Sequence, residues 1–300
     1  MKNLIDISAL DKQEISKLLK LATQFKTDQN NFIHDDIYPD KTVGSLFFEP
    51  STRTKLSFQV ATKNLGARFI DIHYSETSLQ KGESIEDTIE AISLMGIDVL
   101  IIRHQDEVLK NLAIQFPNIK FINAGEGTSS HPTQALTDYM TMSEFSSNPD
   151  NLDISIVGDL DHSRVAASFI ELLKIVGFKR LRLAGLPELC KNYQNNNFEY
   201  LDNLNEALRD SELIMALRIQ NERLNEELSI KHTEYISRYQ ITLDSLKFAS
   251  KDFLLFHPGP VNWGIELEKT IANIKNCKIT NQVINGVAIR MAILSNIFSS

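Results

Sequence analysis

A chain of 300 residues is long enough for two domains, each with a core of its own. Hydrophobic residues make up 42% and charged residues 23%, ordinary values for a soluble globular protein. The apolar runs are too short to cross a bilayer, so no membrane contact is expected. The formal net charge of −8 argues against a general nucleic-acid partner but leaves room for small anionic substrates in a locally positive cleft.

The chain starts with no basic and apolar signal-peptide pattern, so a cytoplasmic protein is expected. The N-terminal half then alternates in type. Thr42–Phe48 reads as a strand, and Thr54–Leu65 has helical spacing closed by Gly66. Arg68–Ile72 reads as a strand, Ser84–Met95 as a helix stopped by Gly96, and Ile97–Ile102 as a buried strand. Asp106–Gln115 follows as a helix and Ile119–Ile122 as a strand. The polar stretch Glu144–Asn151 reads as a linker, after which the alternation restarts. Strands are expected at Asp153–Val157, Arg180–Ala184, Leu213–Ala216 and Phe253–Phe256, with helices at Arg164–Val176, Leu204–Leu208 and Ile284–Phe298. Such alternation predicts an α/β fold: two doubly wound parallel-sheet domains meeting at a cleft. Cys190 and Cys277 have neither disulfide nor metal-ligand spacing, so neither metal nor cofactor is expected.

Four short segments carry chemistry. In Glu49-Pro50-Ser51-Thr52-Arg53-Thr54 a strand gives way to a helix. Ser51 is a natural N-cap, but the residue three further on is Thr54 rather than the Glu or Gln of a capping box. The first turn thus offers backbone N–H groups, hydroxyls and a guanidinium with no carboxylate among them, which suits a phosphate. In His131-Pro132-Thr133-Gln134, Pro132 fits a first helical turn and leaves His131 at the helix N-terminus, where the dipole disfavours the imidazolium. A neutral imidazole there can donate to a carbonyl and polarise it, with the Gln134 amide one turn on. Arg218-Ile219-Gln220-Asn221-Glu222-Arg223 follows one strand and Arg164 another, and two arginines suit a dicarboxylate. His257-Pro258-Gly259-Pro260 makes a rigid loop. Arg103 ends a strand, and Lys81 lies in the polar loop Tyr74–Ser84. No strand is followed by Gly-x-Gly-x-x-Gly, which argues against a nicotinamide dehydrogenase.

Taken in this order, these segments resemble the transcarbamylase family over nearly the whole chain, and its aspartate-using branch most closely. The resemblance implies direct carbamoyl transfer from carbamoyl phosphate to L-aspartate, without a covalent enzyme intermediate. It implies two domains joined by two helices, the C-terminal helix returning to the first. The expected carbamoyl phosphate domain spans 1–147 plus 284–300, and the aspartate domain 148–283. Ser51, Thr52, Arg53, Thr54 and Arg103 would hold the phosphate; Thr54, Arg103 and His131 would hold the carbamoyl oxygen. Gln134, Pro258, Gly259 and Pro260 would surround the carbamoyl nitrogen, and Lys81, Arg164, Arg218 and Gln220 would serve aspartate. Glu49 would pair with Arg164 and Arg223 on domain closure. The resemblance further implies a homotrimer whose neighbouring subunits lend Ser78 and Lys81 to shared sites, and it leaves regulatory chains as a further partner class. Some family members carry two adjacent lysines where Ser78-Leu79-Gln80-Lys81-Gly82 has one. Ornithine-using members typically carry a cysteine in the second and fourth segments; this chain has none there.

Overall fold

A computed structural model describes residues 1–27, 31–194, 198–220 and 232–299. Two parallel sheets organise it. In chain order the first unit contains α1 (Lys12–Gln24), β1 (Thr42–Phe47), α2 (Thr52–Asn64), β2 (Arg68–His73), α3 (Ile85–Leu94), β3 (Val99–His104), α4 (Leu109–Gln115) and β4 (Lys120–Glu126). Helix α5 (Pro132–Phe145) follows. The second unit contains β5 (Asp153–Val157), α6 (Arg164–Val176), β6 (Arg180–Ala184), α7 (Lys191–Gln194), β7 (Glu199–Tyr200), α8 (Leu204–Leu208), β8 (Leu213–Ala216), α9 (His232–Tyr239) and β9 (Leu254–Phe256). The closing helix is α10 (Ile279–Phe298). The chain divides into compact units at Met1–Thr137 with Val283–Ser300, and Asp138–Gln282. The divisions fall inside α5 and α10, so both helices continue from one unit into the other.

The first sheet has the order β2-β1-β3-β4 and the second β7-β6-β5-β8-β9, every neighbouring pair parallel. All six residues of β1 and all five of β5 are buried, as expected for strands covered on both faces. In the first unit Leu46, Leu100, Ile102 and Phe121 from the sheet pack with Ile89, Ile92, Leu109 and Leu112 from α3 and α4. Helix α10 is buried without interruption from Asn285 to Ser295, the pattern of a helix enclosed on all sides. Two polar groups on this buried stretch are paired within the first unit: Lys26 Nζ donates to Asn285 Oδ1 at 2.7 Å, and Tyr38 Oη lies 2.9 Å from Ser295 Oγ.

Three expected elements differ by three residues or more at one end. Helix α4 starts at Leu109 rather than Asp106, because the Asp106 N–H donates to His104 Nδ1, and the Val108 and Leu109 N–H groups donate to Glu126 Oε2. Glu126 thereby caps α4, and burial pushes its carboxyl above the usual range against those two hydrogen bonds. Helix α10 starts at Ile279 rather than Ile284; its first turns, Thr280-Asn281-Gln282, carry no apolar signal. Strand β4 runs on to Glu126, past the expected end at Ile122. Arg223 lies outside the described residues.

Candidate active site

Strand order locates the ligand positions before any side chain is considered. In the first sheet β1 leads outward to β2 while β3 leads the opposite way to β4. In the second, β5 leads to β6 and β8 to β9. An open parallel sheet has its binding crevice at such a reversal, beyond the carboxyl ends of the two strands. The two reversals therefore select the segments after β1 and β3, and those after β5 and β8.

At the first reversal, Glu49–Thr54 leaves β1 and enters α2. Ser51 occupies the N-cap position, but its side chain makes no capping hydrogen bond, and the first turn holds no acidic residue. The opening N–H groups of a 13-residue helix are thus not screened by a side chain of their own segment. Thr54 is buried, while Thr52 and Arg53 are exposed on the same turn. Arg103, near the end of the neighbouring strand β3, is held from two sides. Its guanidinium donates to the Ala124 carbonyl at 3.2 Å and pairs with Glu49 at 3.2 Å. The Phe48 N–H donates to the Arg103 carbonyl at 2.9 Å, which ties the start of the loop to β3.

One strand further along, the chain leaves β4, turns through Gly127 and reaches buried His131. The His131 carbonyl accepts from the N–H groups of Gln134 and Ala135 at 3.1 and 3.3 Å, placing it at the head of α5 with Pro132 in the first turn. Its ring Nδ1 lies 3.5 Å from Thr133 Oγ1. Ser78 and Lys81 are exposed on the short 3-10 turn Ser78–Lys81, which Gly82 closes in a left-handed conformation.

At the second reversal the backbone around Arg218 is pinned residue by residue. The Leu217 N–H extends the ladder to the Val157 carbonyl at 2.8 Å. The Ile219 N–H donates to Glu266 Oε1 at 2.9 Å, and the Gln220 N–H to Asp159 Oδ2 at 3.3 Å. Asp159, wholly buried, also meets His162 Nδ1 at 2.7 Å, and Gln220 Nε2 donates to the His162 carbonyl at 2.6 Å. Burial pushes the Asp159 carboxyl upward, with His162 the strongest opposing influence. The loops after β5 and β8 are thus one hydrogen-bonded body. Their approach requires Gly158, whose φ is +136° and whose added Cβ would lie 2.6 Å from the Leu217 carbonyl oxygen. Arg164, buried at the start of α6, completes this end together with half-buried Arg218 and Gln220. Next to it, after β9, Pro258-Gly259-Pro260 is fixed by the Gly259 N–H donating to His257 Nδ1 at 2.9 Å. The His257 N–H in turn donates to Gln282 Oε1 at 3.0 Å.

Within the first unit, Glu49, Ser51, Thr52, Arg53 and Thr54 follow β1 and Arg103 lies near the carboxyl end of the neighbouring β3, with His131 and Gln134 on the segment after β4. Within the second, Arg164 follows β5, and Arg218 and Gln220 follow its neighbour β8. The sequence reading passed over Asp159, His162 and Glu266. An acid directly after a strand, in Gly158-Asp159, is the signal that marks the first of these. Glu266 has no comparable local signature. Among the described residues no group of three or more His, Cys, Asp or Glu side chains could hold a metal. No helix among them is long and apolar enough to cross a membrane.

Comparison with known proteins matches two family models along the chain. Residues 2–144 match the carbamoyl-P binding domain of aspartate/ornithine carbamoyltransferase, and residues 150–297 match its Asp/Orn binding domain. The chain is 39% identical over 293 residues to the aspartate carbamoyltransferase catalytic subunit of Wolbachia pipientis wMel, covering 98% of this chain and 97% of that one. The same values hold for the catalytic subunit from Wolbachia sp. subsp. Drosophila simulans (strain wRi). Among solved structures, aspartate transcarbamoylase from Trypanosoma cruzi in complex with carbamoyl phosphate and aspartate is similar at a TM-score of 0.86 and 26% identity, over 98% of this chain and 95% of that one. Ornithine carbamoyltransferase from Pyrococcus furiosus shares the fold, with a TM-score of 0.86 at 24% identity over 100% and 97% of the two chains.

Proposed function

The chain belongs to the aspartate/ornithine carbamoyltransferase family, and from that premise we propose that it is an aspartate carbamoyltransferase. It transfers the carbamoyl group of carbamoyl phosphate to the α-amino group of L-aspartate, giving N-carbamoyl-L-aspartate and phosphate, an early step of pyrimidine biosynthesis. The observation that carries this reading is the N-terminal turn of α2, uncapped by its own side chains and free of acids, next to the braced Arg103.

On this reading the phosphate lies on the first turn of α2. Ser51, Thr52, Arg53 and Thr54 donate to its oxygens, and Arg103 supplies a rigid fork. The carbamoyl oxygen accepts from His131, Thr54 and Arg103. The amide of Gln134, with Pro258, Gly259 and Pro260, surrounds the carbamoyl nitrogen. Arg164, Arg218 and Gln220 take the two carboxylates of aspartate, for which paired arginines are suited and an ornithine ammonium is not. Lys81 and Ser78, exposed on their turn, reach the site of a neighbouring subunit in a homotrimer.

The uncharged amine of aspartate attacks the carbamoyl carbon. The C–N bond forms as negative charge gathers on the carbonyl oxygen, and the donors named above stabilise that charge. The bond to the phosphate oxygen then breaks, and the phosphate leaves while still held by the arginines and the helix terminus. The amine proton departs with the phosphate. Holding both reactants in register supplies much of the acceleration.

The test is a product assay on the purified chain, carbamoyl phosphate being offered with L-aspartate and separately with L-ornithine. Phosphate and carbamoyl-aspartate rising together only with aspartate is the expected outcome. Turnover with ornithine alone overturns the assignment of Arg164 and Arg218, and turnover with neither overturns the proposal.

A further inference from the structure

The polarising role of His131 requires a particular tautomer, and the first unit holds a device that selects it. Neutral imidazole carries one N–H, and which nitrogen bears it is set by the partner of the other. Nδ1 of His131 faces Thr133 Oγ1 at 3.5 Å. That hydroxyl is engaged from behind, because Arg290 Nη2 donates to it at 3.2 Å. A guanidinium can only donate, so the Thr133 oxygen is the acceptor in that contact. The hydroxyl hydrogen remains available to point along the other direction, toward Nδ1. We propose that Arg290 and Thr133 are positioning residues that fix His131 with its proton on Nε2, the nitrogen that donates to the carbamoyl oxygen. This rests on the carbonyl-polarising role given to His131 above.

Arg290 is built into place for such a task. It is buried in α10, its Nη1 donates to the Gly286 carbonyl at 2.8 Å, and its guanidinium lies 5.0 Å from the centre of the Phe58 ring. Phe58 belongs to α2, the helix whose first turn is assigned to phosphate. One side chain of the closing helix therefore braces both the phosphate helix and the hydroxyl beside His131. Gly286 leaves room for it: a Cβ there would lie 2.8 Å from Arg290 Nη1. A merely structural arginine would need neither the threonine acceptor nor its alignment on the ring nitrogen.

The test combines nitrogen-15 NMR of the histidine rings with steady-state kinetics on the full-length protein and on Thr133→Val, Thr133→Ser and Gly286→Ala. In the parent protein the His131 signal should show protonated Nε2 and bare Nδ1. Thr133→Val removes the hydroxyl, and should give a mixed tautomer signal and roughly tenfold lower kcat, with the KM for carbamoyl phosphate changed less than about threefold; complete loss of one oriented oxyanion donor would cost about a hundredfold or more. Thr133→Ser should restore both signal and kcat. Gly286→Ala keeps every functional group but displaces the guanidinium, and should move the signal in the same direction as Thr133→Val; it stands in if Thr133→Val does not fold. A single Nε2-protonated signal in Thr133→Val and Gly286→Ala overturns the proposal, as does protonated Nδ1 in the parent. The NMR readout needs no turnover, so an inactive protein that still shows the tautomer shift would refute the assigned reaction without refuting the relay.

Discussion

At the scale of single residues, the two anchors of the carbamoyl phosphate site have different jobs and should fail differently. Arg53 is exposed on the first turn of α2, so its removal leaves the fold intact. Losing a charge-assisted contact worth about 1.5–3 kcal/mol should weaken carbamoyl phosphate binding roughly ten- to hundredfold in Arg53→Ala, read by isothermal titration. Unchanged binding would remove Arg53 from the site. His131→Ala should lower kcat by about a hundredfold or more, since the lost donor acts on charge that develops only in the transition state. Its KM for carbamoyl phosphate should move much less, and equal effects on both would mean that His131 only holds the substrate. Both residues were legible in sequence because their motifs are contiguous. Their supports were not. Arg290 and Thr133 are 157 residues apart, and Gln220 is 61 from Asp159, so no local pattern links them.

At the scale of elements, periodicity identified every strand but the two-residue β7, and most helices, while several of their ends were set by side chains from elsewhere. The start of α4 is decided by Glu126, a residue of β4, and propensity within residues 106–115 carries no trace of it. Helix α1 was the opposite case. Asp11 and Glu14 form a full capping box there, a signal fully present in the sequence yet outside the strand–helix alternation that was followed. The tightest element-level constraint is the meeting of the loops after β5 and β8 at Gly158. Gly158→Ala adds a Cβ against backbone, with a φ that side chains rarely adopt, and should cost about 1–3 kcal/mol. Because the strain falls on the loop that carries Arg218, the KM for aspartate should rise more than that for carbamoyl phosphate. Urea denaturation and the two KM values check this, and an unchanged midpoint would show that the loops yield without cost.

At the scale of the whole molecule, buried acids shape the response to pH. Burial raises the carboxyls of Glu126, Asp159 and Glu266. Asp71 is also pushed up by burial, but hydrogen bonds from Lys55 and Ser45 outweigh that and hold it low; Asp6 is likewise held low by Ser8. A raised acid binds its proton more tightly when folded, so its contribution to stability grows as pH falls from above its folded value toward the ordinary value near 4. The two lowered acids contribute above that ordinary value and lose their contribution as pH falls through their folded values. The melting temperature should therefore hold or rise on going from pH 7 to about 5, and fall only below about 4. Glu266→Gln should flatten the upper part of that profile. A steady decline from pH 7 downward in the parent protein would contradict the assignment of the three raised acids.

The first unit is closed by a helix from the far end of the chain, and this gives protein synthesis a part in making the site. The segment with His131 leaves the ribosome long before Arg290 exists. At ordinary elongation rates the 157 residues from Thr133 to Arg290 take on the order of ten seconds. Throughout that interval the nascent first unit has its sheet but not its closing helix, and the second unit is made entirely within the gap. A chain broken off before α10 would carry every residue assigned to the substrates and still lack Arg290. A nascent chain must extend through α10 before the first unit can be assembled, because that helix follows the whole of the second unit in the sequence.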